Sequence, residues 1–271
     1  MDAPLLAWGG KGGRSVKKSV IRKYAQLAVR RGVNLKKGQG CVIYAQVEQH
    51  EFAALVAEEA YRAGAKWVEM RWEDQTCAKL KYRHESLPQL SQVEEWEKAR
   101  QQHLVDTLPA MIHIMSEDPD GLKGVNVEKL QKSSAARGRV LKPYRDAMDN
   151  KSQWTIIAAP SKKWAKKVFP EDRASVAVEK LWRAILEAAR VTEDNDPFAE
   201  WDTHNRELEE RCRKLSALGL EYLHFSAPNG TDFTCWLIPG AQWHGGGDTL
   251  LDGTFYNPNM PTEEVYTTPL R

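Results

Sequence analysis

Two adjacent carboxylates, Glu263 and Glu264, stand between Pro261-Thr262 and the short β-type run Val265-Tyr266-Thr267-Thr268. A carboxylate fixed where a loop becomes a strand is a hard oxygen donor of the kind divalent metals accept. Beside a turn, the same two residues also read as a solvated acidic pair, and the residues alone leave both readings open. Successive side chains of a strand point to opposite faces, so only one of the two can face a site. Asn257, Pro258, Asn259 and Pro261 supply turn chemistry immediately before them.

Other side chains carry weaker signals. Glu48, His50 and Glu51 follow the apolar run 41–45, and strand ends in α/β sheets are favoured ligand sites. The same residues are also what a helix cap and a charged first turn provide, and the second His of an HExxH pair is missing. The turn Glu117-Asp118-Pro119-Asp120 either caps the helix after it or binds a cation; capping is the simpler reading. His204, alone on a helical stretch, reads as a hydrogen-bonded structural group. Trp243-His244 before Gly245-Gly246-Gly247 is either an active-site loop or a flexible turn with a packed Trp. Basic residues surround an aromatic in Lys162-Lys163-Trp164-Ala165-Lys166-Lys167, a nucleic-acid pattern. A formal net charge of +2 with no long single-sign block argues against a dedicated nucleic-acid binder, which leaves a solvated helix face with Trp164 turned inward. The glycine-rich stretch 9–13 lacks P-loop spacing and has no strand before it.

The elements that must position these residues follow from composition and period. With 271 residues, 42% hydrophobic and 28% charged, the chain can bury a sizeable core and has room for two domains. No run approaches the roughly 18 apolar residues that read as a membrane span, so no membrane role is expected. Cys41, Cys77, Cys212 and Cys235 form no CxxC pair. Without an export signal they read as reduced thiols in a cytoplasmic protein.

Residues 21–31 repeat apolar positions at helical spacing. Residues 41–45 read as a buried strand, 52–61 as a helix closed by Gly64, and 66–72 as an alternating strand. Strand, helix, strand with short connections is a βαβ unit and predicts a parallel sheet flanked by helices. Residues 109–115 and 153–159 add two further strands. Helices are predicted over 74–83, 91–103, 127–137 with a less regular continuation over 144–150, 174–190 and 198–218. After Gly219 the texture changes to short β-type segments (220–225, 232–238, 254–256) separated by Pro228-Asn229-Gly230, Pro239-Gly240 and the triple glycine. The predicted fold is α/β, with a flexible leader over 1–18, an α/β domain over 19–218, and the start of a β-rich second domain over 219–271.

From about residue 21 to 269 the chain resembles the aminopeptidase T and AmpS group of dinuclear metalloaminopeptidases. The most specific mark is Asn257-Pro258-Asn259-Met260-Pro261-Thr262-Glu263-Glu264-Val265-Tyr266-Thr267-Thr268-Pro269. It is joined by Gly38-Gln39, Trp154-Thr155-Ile156-Ile157, Trp164-Ala165 with Val168-Phe169-Pro170, Leu181-Trp182-Arg183-Ala184-Ile185, and Trp201 with His204-Asn205. The resemblance implies an N-terminal α/β domain, a catalytic domain holding two divalent ions (zinc or cobalt), a homodimer, and release of N-terminal residues from peptide substrates. It assigns Glu264 as the first metal ligand, with Glu263 the alternative one position away. It places the remaining ligands (a Glu, two His and an Asp) and a catalytic Tyr beyond this motif. The expectation is therefore an N-terminal portion of such an enzyme. By itself it would be inactive and would not hold metal stably, one carboxylate being too few ligands for two ions. A non-catalytic dimerisation or interaction fragment is the alternative.

Overall fold

The computed structural model describes residues 15–270. Its centre is a four-stranded parallel sheet built from β1 (Gly40–Gln46), β2 (Trp67–Glu73), β3 (Ala110–Met115) and β4 (Trp154–Ala158), in the order β2-β1-β3-β4. β1 pairs with β2 from Gly40↔Trp67 to Gln46↔Glu73, and β3 pairs with β4 from Met111↔Trp154 to Met115↔Ala158. This is the parallel α/β architecture that the strand-helix-strand pattern predicts.

Alternation along β1 sorts side chains to two faces. Cys41, Ile43 and Ala45 point into the main core with Ile112, Ile114 and Ile157. There they meet α1 (Lys18–Leu27), α2 (His50–Arg62) and α8 (Ala174–Ala188) through Tyr24, Leu27, Phe52, Val56, Leu181 and Trp182. Val42 points the other way, into a smaller cluster with Leu104 of α5 (Glu95–Thr107) and Met148 of α6 (Val127–Met148). Burying a fully apolar side chain contributes on the order of 1.5–3 kcal/mol, so the larger cluster is where the stability of the sheet is concentrated.

Several sequence-derived boundaries move. The first helix widens into a π-helical turn over Ala28–Gly32, the Val33 amide donating to the Ala28 carbonyl at 2.9 Å. The helix expected over 91–103 starts later, as α5, and a short helix not expected from the sequence, α4 (Leu87–Ser91), precedes it, opened by a capping box between Ser86 and Gln89. The two weaker helical stretches after residue 127 are one helix, α6, which runs through Pro143. The acidic turn 117–120 does not cap it; Asn126 does, its Oδ1 accepting from the Lys129 amide at 2.9 Å. That turn instead pairs with the basic run. Asp118 meets Lys163 at 3.2 Å and Asp120 meets Lys167 at 2.6 Å, while Trp164 packs against the core from α7 (Lys162–Val168). Lysines engaged with neighbouring carboxylates offer a weaker track to phosphates, in keeping with the balanced net charge.

The glycine-rich stretch and most of the leader lie outside the described residues. At its described end, the Val16 amide donates to Glu179 of α8 at 2.5 Å. After α9 (Pro197–Ala217) the chain forms the antiparallel hairpin of β5 (Tyr222–Ser226) and β6 (Asp232–Trp236). Three two-residue strands follow, β7 (His244–Gly245), β8 (Asp248–Thr249) and β9 (Phe255–Tyr256), and then β10 (Val265–Tyr266). The turn-rich pattern after Gly219 corresponds to these short pieces.

Candidate functional site

The segment 257–266 is built onto the edge of the parallel sheet. The Ile156 amide donates to the Pro258 carbonyl at 2.8 Å, and the Met260 amide donates back to the Ile156 carbonyl at 3.0 Å. Asn259 thus sits opposite Ile156 as a parallel extension of β4's free edge. Asn257 is fully buried. Its amide N–H reaches the Gly32 carbonyl at 2.9 Å, and its own carbonyl accepts from Thr155 Oγ1 at 2.8 Å. Its side-chain amide pairs reciprocally with that of Asn205 on α9, at 2.9 and 3.1 Å. Met260 is 1% exposed and belongs to the main core. Gly32 makes room for it: a Cβ there would stand 3.0 Å from the Thr155 side chain and 3.1 Å from Met260 Sδ.

Beyond the cis Met260-Pro261 bond the chain turns along α9. His204 Nε2 lies 2.6 Å from the Thr262 carbonyl oxygen; a carbonyl only accepts, so this nitrogen carries a proton. Glu263 forms an ion pair with Arg190 Nη1 at 2.7 Å, and its second oxygen is 3.8 Å from His204 Nε2. The Arg190 guanidinium holds the Glu263 carboxyl below the usual range. Glu264 is held low for a different reason. The backbone N–H of Glu263, then its own N–H, and the Thr262 hydroxyl all favour its charged form, with the Glu263 amide donating to Oε2 at 2.9 Å. Among the described residues Glu264 has no salt bridge, and it is exposed.

β10 then pairs antiparallel with β7, Val265↔Gly245 and Tyr266↔His244. The Trp243-His244 loop is thereby brought beside the Glu263-Glu264 pair, with the His244 and Tyr266 rings 6.0 Å apart. Neither sequence spacing nor composition signals this convergence of chain segments. Glu48, His50 and Glu51 go elsewhere, to the turn between β1 and the start of α2. Strand β3 lies between β1 and β4, so this cluster and the 257–266 segment are on different parts of the sheet.

A second concavity was not anticipated. A cleft of about 420 Å³ opens at the carboxyl ends of β1 and β3, with Tyr44, Glu73, His113, Glu117 and Trp154 among its walls. Tyr44 stacks on His113 at 4.4 Å. The Gln46 amide lies between two carboxylates, 3.3 Å from Glu73 and 3.5 Å from Glu117. Burial, reinforced by Glu117, raises the Glu73 carboxyl, while burial lowers the His113 imidazole. The visible signal was the alternation that puts Tyr44, Arg71 and His113 on one face of adjacent strands.

Glu264 suits a divalent ion as a charged, exposed oxygen donor. Among the described residues there is no group of three His, Cys, Asp or Glu side chains that could hold a metal ion.

A family model described as thermophilic metalloprotease (M29) matches residues 17–271. The aminopeptidase AmpS of Bacillus subtilis (strain 168) is 38% identical over 250 residues, 92% of this chain and 60% of that protein. The aminopeptidase T of Thermus thermophilus is 36% identical over 252 residues, 93% of this chain and 61% of its own length. The solved structure of wild-type AmpT from Thermus thermophilus superposes with a TM-score of 0.83 at 35% identity, covering 94% of this chain and 62% of that one. The chain thus spans about 60% of the length of the relatives it matches.

Proposed function

The chain belongs to the thermophilic metalloprotease (M29) family, and from that premise we propose that the protein is a metalloaminopeptidase to which these residues contribute the α/β frame and one ligand, Glu264. The reaction is hydrolytic removal of N-terminal residues from peptides. Relatives named as aminopeptidases, similar along nine-tenths of this chain, support that reading. When bound, a pair of divalent ions, zinc or cobalt, supplies an activated water and polarises the scissile carbonyl. The protein would act as a cytoplasmic homodimer.

The observation that carries the assignment of Glu264 is the unequal engagement of two neighbouring carboxylates. Glu263 is neutralised by Arg190 at 2.7 Å. Glu264 keeps its charge through backbone N–H groups and faces outward. A metal ion can take Glu264 without breaking an ion pair, whereas taking Glu263 would leave Arg190 without its partner.

Among the described residues no group of His, Cys, Asp and Glu side chains gathers enough ligands for a dinuclear centre, and we propose that the isolated 271-residue chain has no turnover. The test is release of the chromophore from a leucyl p-nitroanilide with added cobalt or zinc. No turnover is expected from the isolated chain. Steady turnover that is lost in Glu264→Gln would show that the centre is complete within it.

A second reading, an interaction fragment, is favoured by one observation. Tyr222, Phe225, Phe233 and Trp236 of the β5–β6 hairpin are 50, 44, 54 and 53% exposed. They pair across the strands, Tyr222 tilted against Trp236 at 5.1 Å and Phe225 stacked on Phe233 at 4.9 Å. Strand alternation puts the Tyr222–Trp236 pair on one face of the ribbon and the Phe225–Phe233 pair on the other, so both faces carry exposed aromatic area of the kind that marks an interface. Sedimentation equilibrium separates the readings: self-association that disappears in Phe225→Ser/Trp236→Ser supports an interaction role, and a monomer at all concentrations removes it.

A further inference from the structure

Two residues that carry no assigned role, His204 and Arg190, engage consecutive groups of the segment that bears Glu264. His204 holds the Thr262 carbonyl at 2.6 Å, and Arg190 holds the Glu263 carboxylate at 2.7 Å. The next side chain, Glu264, is exposed and makes no salt bridge among the described residues. Upstream the segment is anchored by the Asn205–Asn257 amide pair, and downstream by the pairing of Val265 with Gly245.

Both groups are themselves held. His204 is 4% exposed and sits edge-on to Trp201, with ring centroids 5.6 Å apart. The Trp201 ring is fixed in turn by its Nε1, which donates to the Ala189 carbonyl at 2.8 Å. Arg190, the residue after Ala189, takes the left-handed φ of 57° of a Schellman cap closing α8, its amide donating to the Glu187 carbonyl at 3.0 Å and the Val191 amide to the Leu186 carbonyl at 2.8 Å. Its carbonyl accepts from Asn195 Nδ2 at 2.8 Å, and its guanidinium lies over the Trp201 ring at 6.0 Å. The end of α8 and the first turns of α9 therefore form one connected support. Ligands are held to useful precision only when the groups behind them are locked by packing and hydrogen bonds.

We infer that Arg190 and His204 are positioning residues that set the register of residues 262–264, with Glu263 serving as an anchor to Arg190 so that Glu264 alone is presented for metal. The inference rests on the proposed ligand role of Glu264 for its purpose. The clamp itself stands on geometry that can be tested separately. His204 acts here as a hydrogen-bond donor, so a side-chain amide can replace it and an alkyl group cannot.

The test uses the 271-residue chain with two readouts. The first is amide hydrogen exchange. His204→Leu is expected to speed exchange over residues 263–266 and at Gly245 about tenfold, the effect of losing one buried hydrogen bond, with β1 amides unchanged. His204→Gln restores slow exchange. Unchanged exchange in His204→Leu overturns the clamp. If His204→Leu instead exchanges everywhere, Arg190→Gln decides: local acceleration at 263–264 supports the clamp, and none overturns it.

The second readout is broadening by cobalt(II) of carboxyl ¹³C signals in glutamate-labelled protein. Cobalt is expected to broaden Glu264 before Glu263 in the wild-type chain. Arg190→Gln should make the two comparable, and Glu264→Gln should abolish the effect. Broadening of Glu263 first in the wild-type chain overturns the anchor role. Broadening of neither removes the ligand reading of Glu264 and leaves the clamp to be decided by exchange.

Discussion

The segment 257–266 and the β5–β6 hairpin follow the same helix in the chain and have opposite relations to the core. In the first, Asn257 and Met260 are sealed against β4 and the π-helical turn, every polar group of Asn257 is paired, and of the two exposed carboxylates at its acidic end Glu263 is tied to Arg190 while Glu264 makes no salt bridge among the described residues. In the second, aromatic pairs on both faces of a two-stranded ribbon are about half exposed. An isolated two-stranded hairpin is marginal in water, and residues 268–270 only extend its edge, through Leu270 N–H to the Trp236 carbonyl at 2.7 Å. Rigidity is therefore concentrated where a ligand would need it, while apolar area is left where a partner surface would cover it.

That contrast predicts graded responses. Met260→Ala should cost about 2–5 kcal/mol in urea unfolding, as a buried methionine truncated beside an unyielding Gly32 leaves a cavity. Asn205→Ala should cost about 1–3 kcal/mol by the same measurement, because the Asn257 amide stays buried without its partner. Asn257→Ala/Asn205→Ala should cost less than the sum of the single changes, since neither partner is then left unsatisfied.

Arg190→Gln should have a smaller effect, at most about 1 kcal/mol, because the ion pair is partly exposed and screened. Its pH signature is more informative. Glu263 has a folded pKa below its ordinary 4.5. The pair's stabilisation is therefore fully present above that ordinary value and lost as the pH falls through the lowered folded value. Arg190→Gln should flatten that part of the stability curve and leave stability near pH 7 almost as insensitive to pH as before. Phe225→Ala on the hairpin should stay within about 0.5 kcal/mol of wild type. A loss as large as that of Met260→Ala would mean that the hairpin, too, is part of the folding core, and the contrast would fail.

Much of the sheet was legible from the sequence, because period and punctuation agree. Cys41-Val42-Ile43-Tyr44-Ala45 and Trp67-Val68-Glu69-Met70 have strand texture, and Gly64 closes the helix between them. The start of α4 carried a readable signal in Ser86-Leu87-Pro88-Gln89, a capping-box pattern hidden by the longer charged run after it. The continuity of α6 ran against the ordinary reading of Pro143 as a helix breaker.

The acidic pair was legible as a candidate, and the resemblance singled out Glu264. What separates Glu263 from Glu264 was not legible, because it depends on Arg190, distant in sequence and turned into a left-handed conformation at the end of α8. The Asn205–Asn257 pair spans 52 positions and has no local signature. His204 read as a hydrogen-bonded structural group, which agrees with its contact to Thr262. Its bearing on the ligand segment needed the fold.

The most direct test of the central claim is a crystal of this chain soaked in zinc or cobalt, with the ion located by anomalous scattering. A peak is expected about 2.0–2.2 Å from a Glu264 carboxylate oxygen, the usual metal–carboxylate distance, with the Arg190–Glu263 pair intact. A peak on Glu263 with Arg190 displaced, or a Glu264 carboxylate left bare at saturating metal, would contradict it.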